Sequence, residues 1–176
     1  MGLSTTFNPL NKYNIEKIVP TETDNNFRKE LIQGTVHDET AAIMGGISAN
    51  AGLFSNAEDL SVILKMILNN GIHNNKQMIN SETVKLFTKN HINNDSINRR
   101  GLGFDKVRIV LENKVYPNEK LTSKSFGHTG FTGTMFWVDP EKDLILVFLT
   151  NRVYPNRDEG SFYELDVRNK LFEIIL

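Results

Sequence analysis

Residues 127–140 read Gly127-His128-Thr129-Gly130-Phe131-Thr132-Gly133-Thr134-Met135-Phe136-Trp137-Val138-Asp139-Pro140. The pattern predicts strands over 123–130, 132–138 and 143–150, with a tight turn at Asp139-Pro140-Glu141-Lys142 between the last two. Those two therefore form an antiparallel hairpin. Glycine weakens a strand and usually marks a bulge, or a place where a ligand or another backbone comes close. Here Gly127, Gly130 and Gly133 surround one titratable side chain, His128, and one hydroxyl, Thr129. A strand histidine taken alone is more often a hydrogen-bonded structural residue than a catalyst, but this setting also suits a substrate. Bare backbone at Gly130 and Gly133 can pair with an extended acyl or peptide group. The Phe131 N–H can then donate to a carbonyl oxygen as an oxyanion-hole donor, and Thr129 can hydrogen-bond a carboxylate.

Working outward, Leu144 to Leu149 is apolar without alternation, which predicts a central strand covered on both faces. Residues 103–111 read as a further strand, and 161–176 as a helix laid on the sheet. Upstream, Ser55-Asn56-Ala57-Glu58 fits a capping box. Leu60, Ile63, Leu64, Ile67 and Leu68 then follow at helical spacing, up to a stop at Asn70-Gly71. A second helix starts after Asn80-Ser81, with Glu82 in its first turn and Val84, Leu86 and Phe87 as apolar contacts. Residues 90–100 read as a polar loop. Residues 1–50 read as mostly irregular, with a helical turn near 11–18 and a flexible point at Gly45-Gly46. So long a loop is functional, disordered, or packed against chain that is not here.

At 176 residues the chain suffices for one domain with a core of its own. Its net charge of -1 and lack of a basic stripe argue against a nucleic-acid partner. The absence of cysteine excludes disulfides, thiol catalysis and thiolate metal sites, and leaves the compartment open. The first residues lack the charged and apolar regions of a signal peptide, and no apolar run reaches membrane-spanning length. His37-Asp38-Glu39 imitates a metal cluster, but adjacent side chains diverge and neither His73 nor His91 completes a ligand spacing. It reads as a solvated loop, and no metal or cofactor is expected. Tyr116-Pro117-Asn118 and Tyr154-Pro155-Asn156 read as turns. Gly46 to Asn50 lacks the closing glycine of a nucleophile elbow.

His128-Thr129-Gly130 resembles the Lys/His-Thr-Gly motif of the penicillin-recognising serine hydrolases, which comprise class C-type β-lactamases, DD-peptidases and related esterases. Other segments resemble the family in the same order along the chain. They are Met1 to Phe7, Val36-His37-Asp38-Glu39-Thr40-Ala41, Ala49-Asn50-Ala51-Gly52-Leu53-Phe54-Ser55 through Leu60, Gly101-Leu102-Gly103-Phe104, and Leu149-Thr150-Asn151-Arg152. The resemblance implies an α+β fold, an antiparallel sheet with flanking helices beside a helical lobe. It also implies that residues 1–176 form a single partial domain. Residues 1–100 would be the remainder of the helical lobe with its loops, and 101–176 the strands and closing helix.

The family acylates the serine of a Ser-x-x-Lys motif, which its lysine activates, and uses a Tyr-x-Asn or Ser-x-Asn for proton relay. No serine of this chain has lysine three residues on, and Ser96-Ile97-Asn98-Arg99 comes nearest with a residue that cannot act as a base. The resemblance therefore implies a hydrolase portion for β-lactam, D-Ala peptide or ester bonds. In it His128 and the Phe131 N–H are catalytic and Thr129, Gly130 and Gly133 bind substrate. The nucleophile is absent, so the portion is inactive alone. The alternative is a non-catalytic peptide-binding or assembly module that pairs with a separate N-terminal half. Relatives are often exported, and a sheet lacking its first strands should pair between copies into a dimer or larger oligomer.

Overall fold

The computed structural model describes residues 4–92, 100–109, 115–158 and 160–176. In chain order the elements begin with β1 (Thr6–Phe7), β2 (Glu22–Asp24), β3 (Glu30–Ile32), α1 (Glu39–Ile43), β4 (Leu53–Phe54) and α2 (Ala57–Leu68). There follow β5 (Ile72–His73), β6 (Lys76–Gln77), α3 (Ser81–Thr88), β7 (Asp105–Lys106), β8 (Arg108–Ile109) and β9 (Val115–Tyr116). The chain ends with β10 (Phe126–Thr129), β11 (Met135–Asp139), β12 (Leu144–Phe148), α4 (Ser161–Glu164) and α5 (Val167–Ile175). They fall into two compact units. The first comprises Met1–Asp59, Phe131–Thr134 and Leu149–Glu164; the second comprises Leu60–Gly130, Met135–Phe148 and Leu165–Leu176.

The second unit is built on an antiparallel sheet in the order β12-β11-β10-β7. Alternation along β11 sends Met135 and Trp137 into one apolar cluster with Phe172 of α5, and Val138 into another with Leu64 of α2. The same alternation splits β12, with Leu144, Leu146 and Phe148 in the first cluster and Ile145 and Val147 in the second. Both faces of β12 are therefore covered, as its unbroken apolar run predicts. Its position differs from the expectation, however: among the described residues β12 is the end strand of the sheet, not a central one. An apolar run reports face coverage and cannot report how many neighbours a strand has.

The strands are shorter than the sequence pattern predicts, because the glycines and threonines of 130–134 form the connection between β10 and β11 instead of extending either strand. The cap of α2 lies one residue later than the capping-box reading. Asn56 Oδ1 accepts from the Asp59 N–H at 2.8 Å, while the Ser55 hydroxyl meets that of Thr5 at 2.7 Å. Asp59 turns its carboxylate to the backbone N–H groups of Ser4 and Thr5, at 2.6 and 2.9 Å. The Asn70-Gly71 stop stands, with Gly71 at φ 86° and its N–H donating to Met66 O at 2.8 Å. Helix α3 starts as predicted, the Asn80 side chain accepting from the Glu82 N–H at 2.8 Å. Asn80→Ala should destabilise the chain by about 1 kcal/mol in urea unfolding; no change would show that this cap is dispensable.

The predicted closing helix is two helices, α4 and α5, separated by Leu165 and by Asp166 in a left-handed conformation at φ 47°. Residues 1–50 hold more regular structure than predicted, including the β2–β3 hairpin and α1, which Asp38 caps by accepting from the Ala41 N–H at 2.7 Å. Strands of three residues are too short to show a periodicity. Met1 to Leu3, the Ser96-Ile97-Asn98-Arg99 sequence, and Val110 and Leu111 of the predicted strand over 103–111 lie outside the described residues. Among those residues no helix is long and apolar enough to cross a membrane.

Candidate functional site

In the second unit, β10 runs Phe126-Gly127-His128-Thr129 between β7 and β11, so His128 and Thr129 are held by main-chain pairing to Phe136 and Met135. Their side chains are half-buried. His128 Nδ1 lies 2.9 Å from Thr129 O. The Tyr116 hydroxyl reaches towards the Thr129 hydroxyl at 3.5 Å, and the Arg108 guanidinium lies over the Tyr116 ring, 4.9 Å from its centroid. Arg168 of α5 donates to Gly130 O at 3.1 Å. The end of β10 thus carries an imidazole and two hydroxyls with guanidinium groups close by, a set suited to an anionic or carbonyl-bearing group. Tyr116 has no place in the sequence reading beyond a turn. The Tyr-Pro dipeptide obscured the strand β9 that presents its ring. The turn lies one step later, the Asn118 carbonyl accepting from the Leu121 N–H at 3.3 Å, while the buried Asn118 side chain donates to Asn169 at 2.6 Å and Glu173 at 2.8 Å.

The glycines divide by role. A Cβ on Gly127 would fall against the Phe136 carbonyl oxygen and 2.5 Å from the Trp137 ring, so this glycine makes room for the core tryptophan opposite it. In the first unit, Gly133 has φ 105°, and a Cβ there would sit 2.9 Å from the Thr150 side chain. The Phe131–Thr134 turn is fastened by Arg152, whose N–H donates to Thr132 O at 2.8 Å and whose Nε donates to Phe131 O at 2.7 Å. The same guanidinium stacks over the Phe131 ring at 4.6 Å and the Tyr163 ring at 4.8 Å. His37 stacks on Phe131, ring centroids 5.7 Å apart and 21° from parallel. Among the predicted site residues, His128, Thr129 and Gly130 belong to the second unit, Phe131 and Gly133 to the first.

The first unit also holds an ion cluster that the sequence reading missed. Glu22 is 2% exposed, yet it meets His37 Nε2 at 2.6 Å and Arg157 Nη2 at 2.8 Å, and accepts from Arg157 Nε at 2.9 Å. Arg157 Nη2 also lies 3.1 Å from Glu39. Burial pushes the Glu22 carboxyl up, but the Arg157 and His37 hydrogen bonds outweigh it and hold the group below its ordinary range. On the same strand, the buried Asp24 accepts from the backbone N–H groups of Phe27, Arg28 and Asn26, which hold its pKa at about 2. The solvated-loop reading of His37-Asp38-Glu39 is therefore corrected. The three side chains do diverge, but into a hydrogen bond with Glu22, a helix cap and an ion pair with Arg157. Among the described residues no three His, Asp or Glu groups are placed to hold a metal ion.

Comparison with known proteins agrees with this architecture. The family model described as Beta-lactamase matches residues 8–167. The chain belongs to the beta-lactamase family. An Escherichia coli K12 protein named "Putative D-alanyl-D-alanine carboxypeptidase" is 36% identical over 167 residues, covering 86% of this chain and 37% of that protein. A Salmonella typhi protein of the same name is 34% identical over the same shares. The chain thus spans 37% of the length of these curated relatives. A solved β-lactamase from Mycobacterium bovis shares the fold, with a TM-score of 0.54 and 23% identity, over 77% of this chain and 52% of its own. For this family member the α+β class, with helices flanking an antiparallel sheet, is as the resemblance implies.

Proposed function

We propose that this chain carries the substrate-binding strand of a serine hydrolase that cleaves amide or ester bonds through an acyl-enzyme, and that it does not complete turnover by itself. The observation behind this reading is the His128-Thr129-Gly130 end of β10, with the Tyr116 hydroxyl 3.5 Å from that of Thr129, in a beta-lactamase family member that has no Ser-x-x-Lys. In this reading Thr129 hydrogen-bonds the substrate carboxylate and His128 serves the leaving group. The Phe131 N–H donates to the oxyanion, while Gly130 and Gly133 leave room for an extended acyl chain. The names of the relatives favour a peptide ending in D-alanine over other amides and esters.

Intact-mass spectrometry after incubation with a penicillin, and separately with a reactive fluorophosphonate, tests the reading. No adduct is expected on the chain alone. Acylation is expected once the remaining portion of the Escherichia coli relative is supplied in trans. A stoichiometric adduct on the chain alone that disappears in His128→Ala would overturn the incomplete site. Binding of an acyl-D-Ala peptide without acylation in either setting would favour the other reading, a non-catalytic peptide-binding module.

A further inference from the structure

Phe131 carries a ring that is 55% exposed. A side chain so open ordinarily samples several rotamers. Contacts within the first unit oppose that freedom. The Arg152 guanidinium lies over the ring, 4.6 Å from its centroid, and that of Arg157 lies 5.9 Å from it. His37 stacks on the ring, with centroids 5.7 Å apart and planes 21° from parallel. His37 is itself fixed at both ends. Its carbonyl accepts from Arg28 Nη2 at 3.2 Å, and its Nε2 meets the Glu22 carboxylate at 2.6 Å. Glu22 is buried and is held in turn by Arg157, through Nε at 2.9 Å and Nη2 at 2.8 Å. An imidazole tied by its edge to a buried carboxylate cannot rotate without giving up that bond, so the plane it offers Phe131 is set. The Phe131 carbonyl is anchored separately, accepting from Arg152 Nε at 2.7 Å.

We propose that His37, oriented by Glu22, is a positioning residue that holds the Phe131 amide where the oxyanion forms, a role that rests on the reading of the Phe131 N–H as the oxyanion donor. The geometry at Cα carries the effect. Stacking places the ring and with it Cβ, while Arg152 places the carbonyl carbon. Once two substituents of a tetrahedral carbon of fixed hand are placed, the amide nitrogen has one position left. An oxyanion donor works only where charge develops, and losing one costs about 10²–10³ in rate. A residue that fixes such a donor therefore acts on the chemical step more than on ground-state binding. His37 acts through Phe131, since Glu22 engages its edge and the Phe131 ring its face.

Edge and face can be separated by substitution. His37→Gln keeps an N–H for Glu22 and removes the ring, whereas His37→Phe keeps a ring and removes the donor. In the unmodified chain, three-bond NMR couplings across Phe131 χ1 should report one rotamer. They should average over several in His37→Gln and stay nearer to one in His37→Phe. With the remaining portion of the Escherichia coli relative supplied in trans, the saturating rate of acylation by a penicillin should fall about tenfold or more in His37→Gln. The loss should be smaller in His37→Phe, and the half-saturating concentration should change little in either variant. A histidine that serves only to satisfy Glu22 predicts the opposite order, with His37→Phe the more damaged in couplings, rate and urea stability; that order would overturn the proposal. A single Phe131 rotamer in His37→Gln would overturn it as well. If the unmodified chain is not acylated in trans, the acyl-enzyme reading fails and takes the catalytic consequence with it. Averaged couplings in His37→Gln would even then show that His37 orders Phe131.

Discussion

Glu22→Ala should destabilise this chain by about 3–5 kcal/mol, because it removes the buried carboxylate that pairs with Arg157 and hydrogen-bonds His37, leaving Arg157 with only the more exposed Glu39. Glu22→Gln should cost less, about 1–3 kcal/mol, since the amide still accepts a hydrogen bond from Arg157 but gives up the charge. Urea unfolding followed by circular dichroism reads both. The pH dependence has a definite sign. Glu22 and Asp24 bind protons less readily folded than unfolded, where their values are the ordinary 4.5 and 3.8. Their contribution is fully present above about pH 4.5 and is lost as pH falls through the folded values, which for Asp24 means down to about 2. The acid limb of the stability curve should therefore begin below pH 4.5, and Glu22→Gln should flatten its upper part. A Glu22→Ala cost under about 1 kcal/mol would mean that water replaces the carboxylate and that the cluster is not a determinant of stability.

What was legible in the sequence follows from how far each signal reaches. Residues 57–68 and 81–88 carry helical periodicity and local stop or cap residues, and both helices lie where the pattern puts them. The 135–139 and 144–148 hairpin was equally plain, because Asp139-Pro140 fixes a turn between two apolar runs. Relations between distant residues were not legible. Glu22 and Arg157 are 135 positions apart, and no pattern along the chain joins them. The Tyr116 ring reaches Thr129 through a two-residue strand, too short to announce itself beside a proline. The His128-Thr129-Gly130 triplet was found because motif and strand coincide. Part of the reason it looked functional, the neighbouring glycine, has a packing cause instead.

That cause gives the second large effect. Gly127→Ala should destabilise the chain by about 3 kcal/mol, at the upper end of what overpacking costs. The added methyl meets two rigid obstacles: the Phe136 main-chain carbonyl, held in the β10–β11 ladder, and the indole of Trp137, which is fully buried. Neither can move without disturbing the cluster around Phe172 and Met135. The assignment is separable from a substrate role. Trp137→Leu creates space on that face at its own cost. The double variant Gly127→Ala/Trp137→Leu should then be more stable than the sum of the single losses by about 1 kcal/mol or more, the coupling expected of residues in direct contact. If Gly127→Ala instead leaves stability within about 1 kcal/mol and weakens binding of an acyl-D-Ala peptide, the glycine serves a ligand, as the bare sequence implied. Because His128 and Thr129 continue the same strand, the first result would also explain why glycine precedes them: the strand end proposed to meet substrate follows a position fixed by the tryptophan packed behind it.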